Sequence, residues 1–316
     1  MKHLFLFIVL FSIAILSSCN DEDMDFRDFK IEGLTMENYP IVDCSTSTSP
    51  LSTVIASRLL GYDYRWEQAL HMNGAWYILT ELPYEFYEEH LKVSQTHNSF
   101  INLIDNKVDI TLSARKMSDD EKEYAEKAGV TLIETPVALD AFIFVTNKSN
   151  PVKSLTITQA QDIYTGKIRN WKDVGGNDNT INPYIRNANS GSQELMESLV
   201  MKNLQFAEWP EDFEPELPSM MGVFSTIRTD VNGLGYTVYY YKEYIVRDDV
   251  VNSLSINGVY PDKKTISSGK YPLIAEVYAV IRSDLDKSSM AYKLYELLQT
   301  KSSRRVIEDS GFTPYN

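Results

Sequence analysis

The chain has 316 residues, of which 43% are hydrophobic and 23% are charged, so it can form one large globular domain or two lobes. Its 44 acidic residues outnumber the 30 basic ones, which gives a formal net charge of −14. Nucleic acids and anionic membrane surfaces attract proteins through a long-range positive field, so the excess of carboxylates argues against both as partners.

The first 18 residues have the pattern of a secretory signal peptide. Lys2 precedes the apolar run LFLFIVLFSIAIL, which is too short to favour a membrane-spanning helix. The run ends in Leu16-Ser-Ser-Cys19, which resembles the lipobox of bacterial lipoproteins. We therefore expect residues 1–18 to be removed and Cys19 to carry a lipid that attaches the mature protein to a membrane. The alternative is an ordinary signal peptide followed by a chance cysteine.

Residues 19–36 are acidic and lack apolar periodicity, so they predict a tether between the lipid and the folded body. We expect an exported protein, anchored in the cell envelope and facing either the periplasm or the outer surface of the outer membrane. Cys44 is then the only cysteine left, which excludes an intrachain disulfide. The stability of the body must come from packing.

The first folded unit is predicted to be a strand, a polar turn and a helix. The run YPIVDC (39–44) has the apolar character of a strand, and PLSTVIASRLLGY (50–62) has apolar residues at helical spacing. Between them stands a cluster of Ser and Thr residues. Short apolar runs alternate with helical patterns along the rest of the body, which is typical of an α/β fold.

A second unit of the same kind follows. A strand is predicted over residues 108–112, and the turn after it contains Ser113 and Arg115. Ser118 and Glu121 then form a capping box for a helix that ends at Gly129.

The middle and the end of the chain continue this pattern. TLIETPVAL and AFIFVTNK predict two buried strands on either side of Asp140. Thr158 is expected to cap a short helix that ends at Gly166. The strand TINPYI leads to the stretch RNANSGSQELMESL, which begins at Arg186. The last helix is predicted from about residue 289 to 308.

Three turns between a strand and a helix could bind an oxyanion. A helix N-terminus has unpaired backbone N–H groups and a partial positive charge, hydroxyls add donors, and an arginine matches two oxygens of a tetrahedral anion. The candidate residues are, turn by turn, Ser45, Thr46 and Ser47; Ser113 and Arg115; Arg186, Ser190, Gly191 and Ser192. The alternative is that the hydroxyls only cap helices and that Arg115 pairs on the surface with Asp119 or Asp120.

One long segment, VALDAFIFVTNKSNPVKSLTITQAQDIYTGKIRNWKDVGGNDNTINPYIRNANSGS, resembles the central signature of the phosphate-binding proteins that serve bacterial ABC phosphate importers. The matching motifs follow one another in the family's order. They are Asn150-Pro-Val152, Leu155-Thr156, Ile163 to Trp171, Gly175-Gly176 and Arg186 to Ser192. The segments 255–273 and 308–316 are similar to the closing parts of that family.

The resemblance implies a type II periplasmic-binding-protein fold, in which two α/β lobes are joined by a two-strand hinge. Crossings between lobes are expected near Leu139-Asp140 and Leu273-Ile274. Residues 37–139 and 274–316 would form lobe I, and residues 140–273 would form lobe II. The family's ligand positions carry over to the candidate residues of the three turns.

The resemblance also implies a function: a solute-binding lipoprotein that captures inorganic phosphate between its lobes and delivers it to the membrane subunits of an ABC importer. We expect a monomer that needs no cofactor or metal. Asp140 is a candidate ligand, because a carboxylate can accept the proton of hydrogen phosphate and repel ionised sulfate. Its alternative role is that of a hinge or strand-end residue.

Two other classes of function remain as alternatives. A phosphatase is disfavoured because the four histidines, His3, His71, His90 and His97, lack metal-ligand spacing. A surface lipoprotein of the same fold, used for adhesion, sensing or another oxyanion, is the second.

Overall fold

The structure is a computed structural model that describes residues 28–69, 74–247 and 249–315. The predicted signal peptide, Cys19 and His71 lie outside the described residues. Among the described residues, no helix combines the length and the apolar character that a membrane span requires.

Within the described residues, the first six strands lie between residues 42 and 147. They are β1 (Val42–Cys44), β2 (Tyr64–Gln68), β3 (Trp76–Thr80), β4 (Leu91–Lys92), β5 (Ile110–Ser113) and β6 (Leu132–Asn147). The remaining strands are β7 (Ser154–Leu155), β8 (Asn182–Pro183), β9 (Ile185–Arg186), β10 (Glu216–Leu217), β11 (Gly233–Val238), β12 (Val251–Ser253), β13 (Ser255–Ile256), β14 (Ile274–Arg282) and β15 (Thr313–Pro314).

Helices connect these strands and cover the sheet. They are α1 (Ser49–Leu60), α2 (Tyr84–His90), α3 (Gln95–Ile104), α4 (Asp119–Ala128), α5 (Ile157–Tyr164), α6 (Gly191–Leu195), α7 (Met220–Thr229), α8 (Lys263–Ser267), α9 (Met290–Leu297) and α10 (Arg304–Asp309). Short 3₁₀ turns occupy Trp171–Val174 and Lys301–Ser303, and π-helical turns occupy Met196–Met201 and Tyr241–Val246.

A nine-stranded sheet holds the chain together, with the order β4-β1-β5-β14-β6-β11-β8 and with β12 and β15 also paired to β6. β1 is parallel to both β4 and β5, whereas β14 is antiparallel to β5 and β6. Because β1 and β5 run side by side in the same direction, the turns that follow them lie at one edge of the sheet.

β6 is a single strand of 16 residues, not the two strands predicted around Asp140. Residues 132–141 pair with β14, and from Phe142 onward β6 pairs with β11 and β12 instead. Pro136 is accommodated at a bulge in the pairing with β14, because proline lacks the N–H that a regular ladder needs. Asp140 does not interrupt the strand, since backbone N–H groups satisfy one of its oxygens.

The predicted C-terminal helix is wrong as one element, because α9 ends at Leu297 and α10 begins at Arg304. In between, the Thr300 hydroxyl donates to the carbonyl of Leu297 at 2.7 Å and the Ser303 hydroxyl donates to that of Leu298 at 2.9 Å. Hydroxyl side chains compete in this way for helical carbonyls.

The capping predictions have two outcomes. The capping box of Ser118 and Glu121 is confirmed, and Gly129 ends that helix with φ 66°. Thr158 does not cap α5; Thr156 does, with its hydroxyl accepting from the N–H of Gln159. Both threonines have a glutamine three positions later, Gln159 after Thr156 and Gln161 after Thr158, so the sequence allows a capping box at either position; the structure forms it at Thr156.

Aromatic rings join the C-terminal segment to the turn after β11. Tyr240 stacks on Phe312 with ring centroids 3.7 Å apart, and its hydroxyl donates to the carbonyl of Ser310 at 2.7 Å. Gly311 has φ 98°, and a Cβ placed on it would lie 2.6 Å from a ring atom of Tyr244. The packing at this position therefore requires glycine for two reasons.

We predict that Gly311→Ala lowers the free energy of unfolding by on the order of 2–4 kcal/mol, because backbone strain adds to overpacking against Tyr244. Gly258→Ala is the matched control, since Gly258 also has a positive φ of 79° but faces open space. We expect about 1 kcal/mol for the control. Urea denaturation measures both, and equal losses would contradict the packing argument.

Candidate functional site

A cavity of about 440 Å³ lies where two of the three predicted turns meet. Ser45, Thr46 and Ser47 line it from the turn after β1. From the turn before α6, it is lined by Arg186, Ser190, Gly191 and Ser192. Residues more than 130 positions apart in the chain thus share one cavity.

The first turn presents the start of α1 to the cavity. The N–H of Ser45 continues the strand by donating to the carbonyl of Leu112 at 3.1 Å. Thr48 occupies the N-cap position without a side-chain cap, because its hydroxyl instead donates to the carbonyl of Leu112 at 2.7 Å. The backbone N–H groups at this helix end are therefore not consumed by a capping side chain.

The turn before α6 both caps the helix and lines the cavity. Asn189 adopts φ 62°, a left-handed conformation that asparagine tolerates. Ser190 caps α6, since its hydroxyl oxygen accepts from the N–H of Gln193 at 3.2 Å, and it also lines the cavity. A Cβ on Gly191 would lie 2.8 Å from the Thr96 hydroxyl, so only glycine allows this close approach.

Arg186 is the cation of the cavity, and it is only 6% exposed. Its Nε donates to the carbonyl of Leu217 at 2.8 Å, and its other nitrogens donate to Ser192 Oγ at 3.3 Å and Asn187 Oδ1 at 3.1 Å. Burial lowers the pKa of the guanidinium, but an arginine remains charged at neutral pH. These three partners are all neutral oxygens, so no carboxylate pairs directly with the guanidinium, and Glu216 acts on its pKa only from a distance.

Ser113 and Arg115 do not line the cavity, although Ala114 between them does. The Ser113 hydroxyl donates to the carbonyl of Arg115 at 2.8 Å. The Arg115 guanidinium forms two parallel hydrogen bonds to Glu121, at 2.7 and 2.8 Å. The expected surface pairing with Asp119 or Asp120 is therefore wrong: the partner is the buried Glu121.

Asp140 also lies away from the cavity lining, in β6, and is 1% exposed. Its Oδ1 accepts from the N–H groups of Ala141 at 2.7 Å and Tyr240 at 2.9 Å, while its buried Oδ2 has no partner among the described residues. Burial raises the pKa of this carboxyl to about 7, although the two N–H groups act in the opposite direction. This position matches the alternative role, that of a hinge residue.

Sequence reasoning missed two further turns that border the cavity. The first residues of α3, with Thr96, His97 and Asn98, line one side, and Ser219 and Met220 line another. The Ser219 hydroxyl accepts from the N–H of Gly222 as the cap of α7. A signal was present in both cases: Ser94 and Ser219 each stand just before an apolar helical pattern, as capping residues do.

No group of three or more His, Cys, Asp or Glu side chains is arranged to hold a metal ion within the described ranges. The donors around the cavity are hydroxyls, amides and one guanidinium. Such donors suit an anion that needs no metal.

A family model described as a PBP superfamily domain matches residues 91–295, which is more than half of the chain. The chain belongs to this superfamily. Its fold is the α/β type II periplasmic-binding-protein fold, with two lobes and a two-strand hinge.

Several relatives have a named ligand. The phosphate-binding protein PstS of Borreliella burgdorferi is 25% identical over 316 residues, covering 99% of this chain and 98% of the relative. The phosphate-binding protein PstS of Staphylococcus epidermidis is 29% identical over 233 residues, covering 69% of this chain and 67% of the relative.

Solved structures show the same fold. An ABC-type phosphate transport receptor from Vibrio cholerae matches with a TM-score of 0.61 and 21% identity, covering 87% of this chain and 99% of the receptor. A substrate-binding protein of Clostridium perfringens, solved with bound phosphate, matches with a TM-score of 0.63 and 22% identity, covering 88% and 100%.

The placement of Asp140 predicts a pH-dependent stability. Its folded pKa of about 7 lies above the ordinary value of 3.8, so the folded protein retains a proton that the unfolded chain releases. The contribution of Asp140 to the free energy of unfolding therefore decreases as the pH rises from about 4 to about 7, by on the order of 2–4 kcal/mol in total.

Asp140→Asn removes this titration while keeping an oxygen for the N–H groups of Ala141 and Tyr240. In urea denaturation, the free energy of unfolding of the wild type should fall between pH 4 and pH 8 relative to that of the variant. A difference between the two proteins that is independent of pH would contradict the prediction.

Proposed function

We propose that this protein is an extracytoplasmic solute-binding protein that captures inorganic phosphate in the cavity and delivers it to an ABC importer. The chain is a binding protein and not an enzyme, as in its relatives that are named phosphate-binding proteins. Its relation to a phosphate transport receptor supports the role in import.

The observation that carries the proposal is the buried Arg186, which has no carboxylate among its hydrogen-bond partners and lines a cavity with hydroxyls and a helix start. A tetrahedral dianion supplies the missing negative charge and accepts several hydrogen bonds at once. We propose as its ligands the residues that line the cavity from the two turns: Ser45, Thr46, Ser47, Arg186, Ser190, Gly191 and Ser192. Ser113 and Arg115 then support the site from behind, and Asp140 belongs to the hinge.

Binding is proposed to bring two lobes together, with residues 37–139 and 274–316 in one and 140–273 in the other. The change of partner along β6, between Ala141 and Phe142, supports this division. Contacts across the cavity support closure: Gly191 approaches Thr96, and Arg115 donates to the carbonyl of Asn189 at 3.5 Å. An anion held by both sides favours the closed arrangement.

The N-terminal segment is proposed to attach the protein to the cell envelope through a lipid on Cys19. The membrane subunits of the importer are the proposed partners, and the protein is proposed to act as a monomer. A tethered monomer can reach an importer in the same envelope while its two lobes remain free to open and close.

Arg186→Ala tests the site. Isothermal titration should detect phosphate binding to the wild type, and the variant should bind at least about 100-fold more weakly because it loses a buried charge-assisted contact. The melting temperature of the ligand-free variant should change little, since the loss of three hydrogen bonds to neutral oxygens is offset by removal of a buried charge that no carboxylate pairs with directly.

Arg169→Ala is the matched control, because it makes the same change in net charge at an exposed residue outside the cavity. Its phosphate affinity should equal that of the wild type. Wild-type affinity in Arg186→Ala would mean that phosphate binds elsewhere. A wild type that binds no phosphate, but binds another oxyanion or none, would refute the proposed function.

A further inference from the structure

The cavity contains no carboxylate among the described residues that line it, because Asp140 lies in the hinge and Glu121 lies behind the lining. Hydrogen phosphate carries a proton at neutral pH, and a site that distinguishes it from sulfate needs a group that accepts this proton. His97 lines the cavity and has a ring nitrogen that can accept one.

The ring of His97 is held by a buried cluster. Its Nδ1 lies 3.0 Å from Oε1 of Glu121, whose side chain is 0% exposed, whereas that of His97 is 34% exposed. The same carboxylate accepts from Arg115 at 2.7 and 2.8 Å and from the N–H of Ser118 at 2.8 Å. Three hydrogen bonds therefore fix Glu121, and Glu121 in turn fixes one edge of the imidazole.

This arrangement selects the tautomer of His97. A carboxylate paired with an arginine is an acceptor only, so the proton of the neutral imidazole lies on Nδ1, facing Glu121. Nε2 then keeps its lone pair. No hydrogen bond to this nitrogen occurs among the described residues; His97 lines the cavity, and its side chain is 34% exposed.

We infer that His97 is a specificity-determining residue, whose Nε2 accepts the proton of a protonated tetrahedral oxyanion and disfavours one that has no proton, such as sulfate. This inference rests on the proposed function, since it assigns the selectivity of the same cavity. The positioning residues are Glu121, which sets the tautomer, and Arg115, which holds the Glu121 carboxylate in place with two hydrogen bonds.

Sulfate is the suitable probe of this effect, because it has no proton to donate to Nε2. Isothermal titration of the full-length wild type at pH 8.0 should show weaker binding of sulfate than of phosphate. A difference of about tenfold corresponds to one charge-assisted hydrogen bond.

His97→Gln supplies a side chain that donates and accepts at every pH, so it should lose the selectivity. The ratio of phosphate to sulfate affinity at pH 8.0 should fall about tenfold. His90→Gln is the control, because it removes a histidine that does not line the cavity and should leave this ratio unchanged. Thermal melting verifies that both variants are folded.

The outcomes separate the two proposals. If the wild type and His97→Gln have the same ratio of phosphate to sulfate affinity, the role of His97 is refuted while the phosphate function stands. A wild type that binds sulfate as tightly as phosphate at pH 8.0 also refutes it, without any variant. If the wild type binds no phosphate at pH 8.0, both proposals fail.

Discussion

Arg186 is a guanidinium buried beside a cavity with only neutral oxygens around its nitrogens. An isolated buried charge is costly, and the protein tolerates it only if something negative completes the site. That requirement explains why the surrounding groups are donors: hydroxyls from the turn after β1 and the start of α6 point to the same volume. The charge also explains why the chain can be strongly acidic overall. Exposed carboxylates more than about 8 Å away are largely screened at physiological salt, whereas Arg186 acts at contact distance.

A second arginine nearby has the opposite environment. Arg115 is equally buried, but it forms two hydrogen bonds to Glu121 and is neutralised by it. The two arginines divide two tasks: one supplies charge to the cavity, and the other stabilises the cluster that supports the cavity wall. The different partners of these residues, rather than the residue type, determine which of them can hold an anion.

The turns after β1 and before α6 were predictable from the sequence, because a strand, a Ser/Thr-rich turn and a helical pattern follow one another there. The order of the strands in the sheet was not, since β14 inserts between β5 and β6 from far along the chain. The hydrogen-bond partner of Arg115 could not be predicted from the sequence. Asp119, Asp120 and Glu121 are adjacent in sequence, and only the capping box turns Glu121 inward while the other two stay exposed. Asp140 stands where β6 changes its pairing partner, and the sequence alone does not show that its side chain lies away from the cavity lining.

The pairing of β15 with β6 constrains the order in which the strands of the sheet can pair. Thr313 lies opposite Leu139, so the last residues of the chain add a strand to an element formed near its middle. Ribosomes release the N-terminal half first, but that half lacks β14 and β15 until more than 130 further residues have been synthesised. The nascent chain therefore carries an incomplete sheet with open edges during synthesis. A protein built in this way benefits from a holding chaperone, or from a delay in collapse, before its final strand arrives.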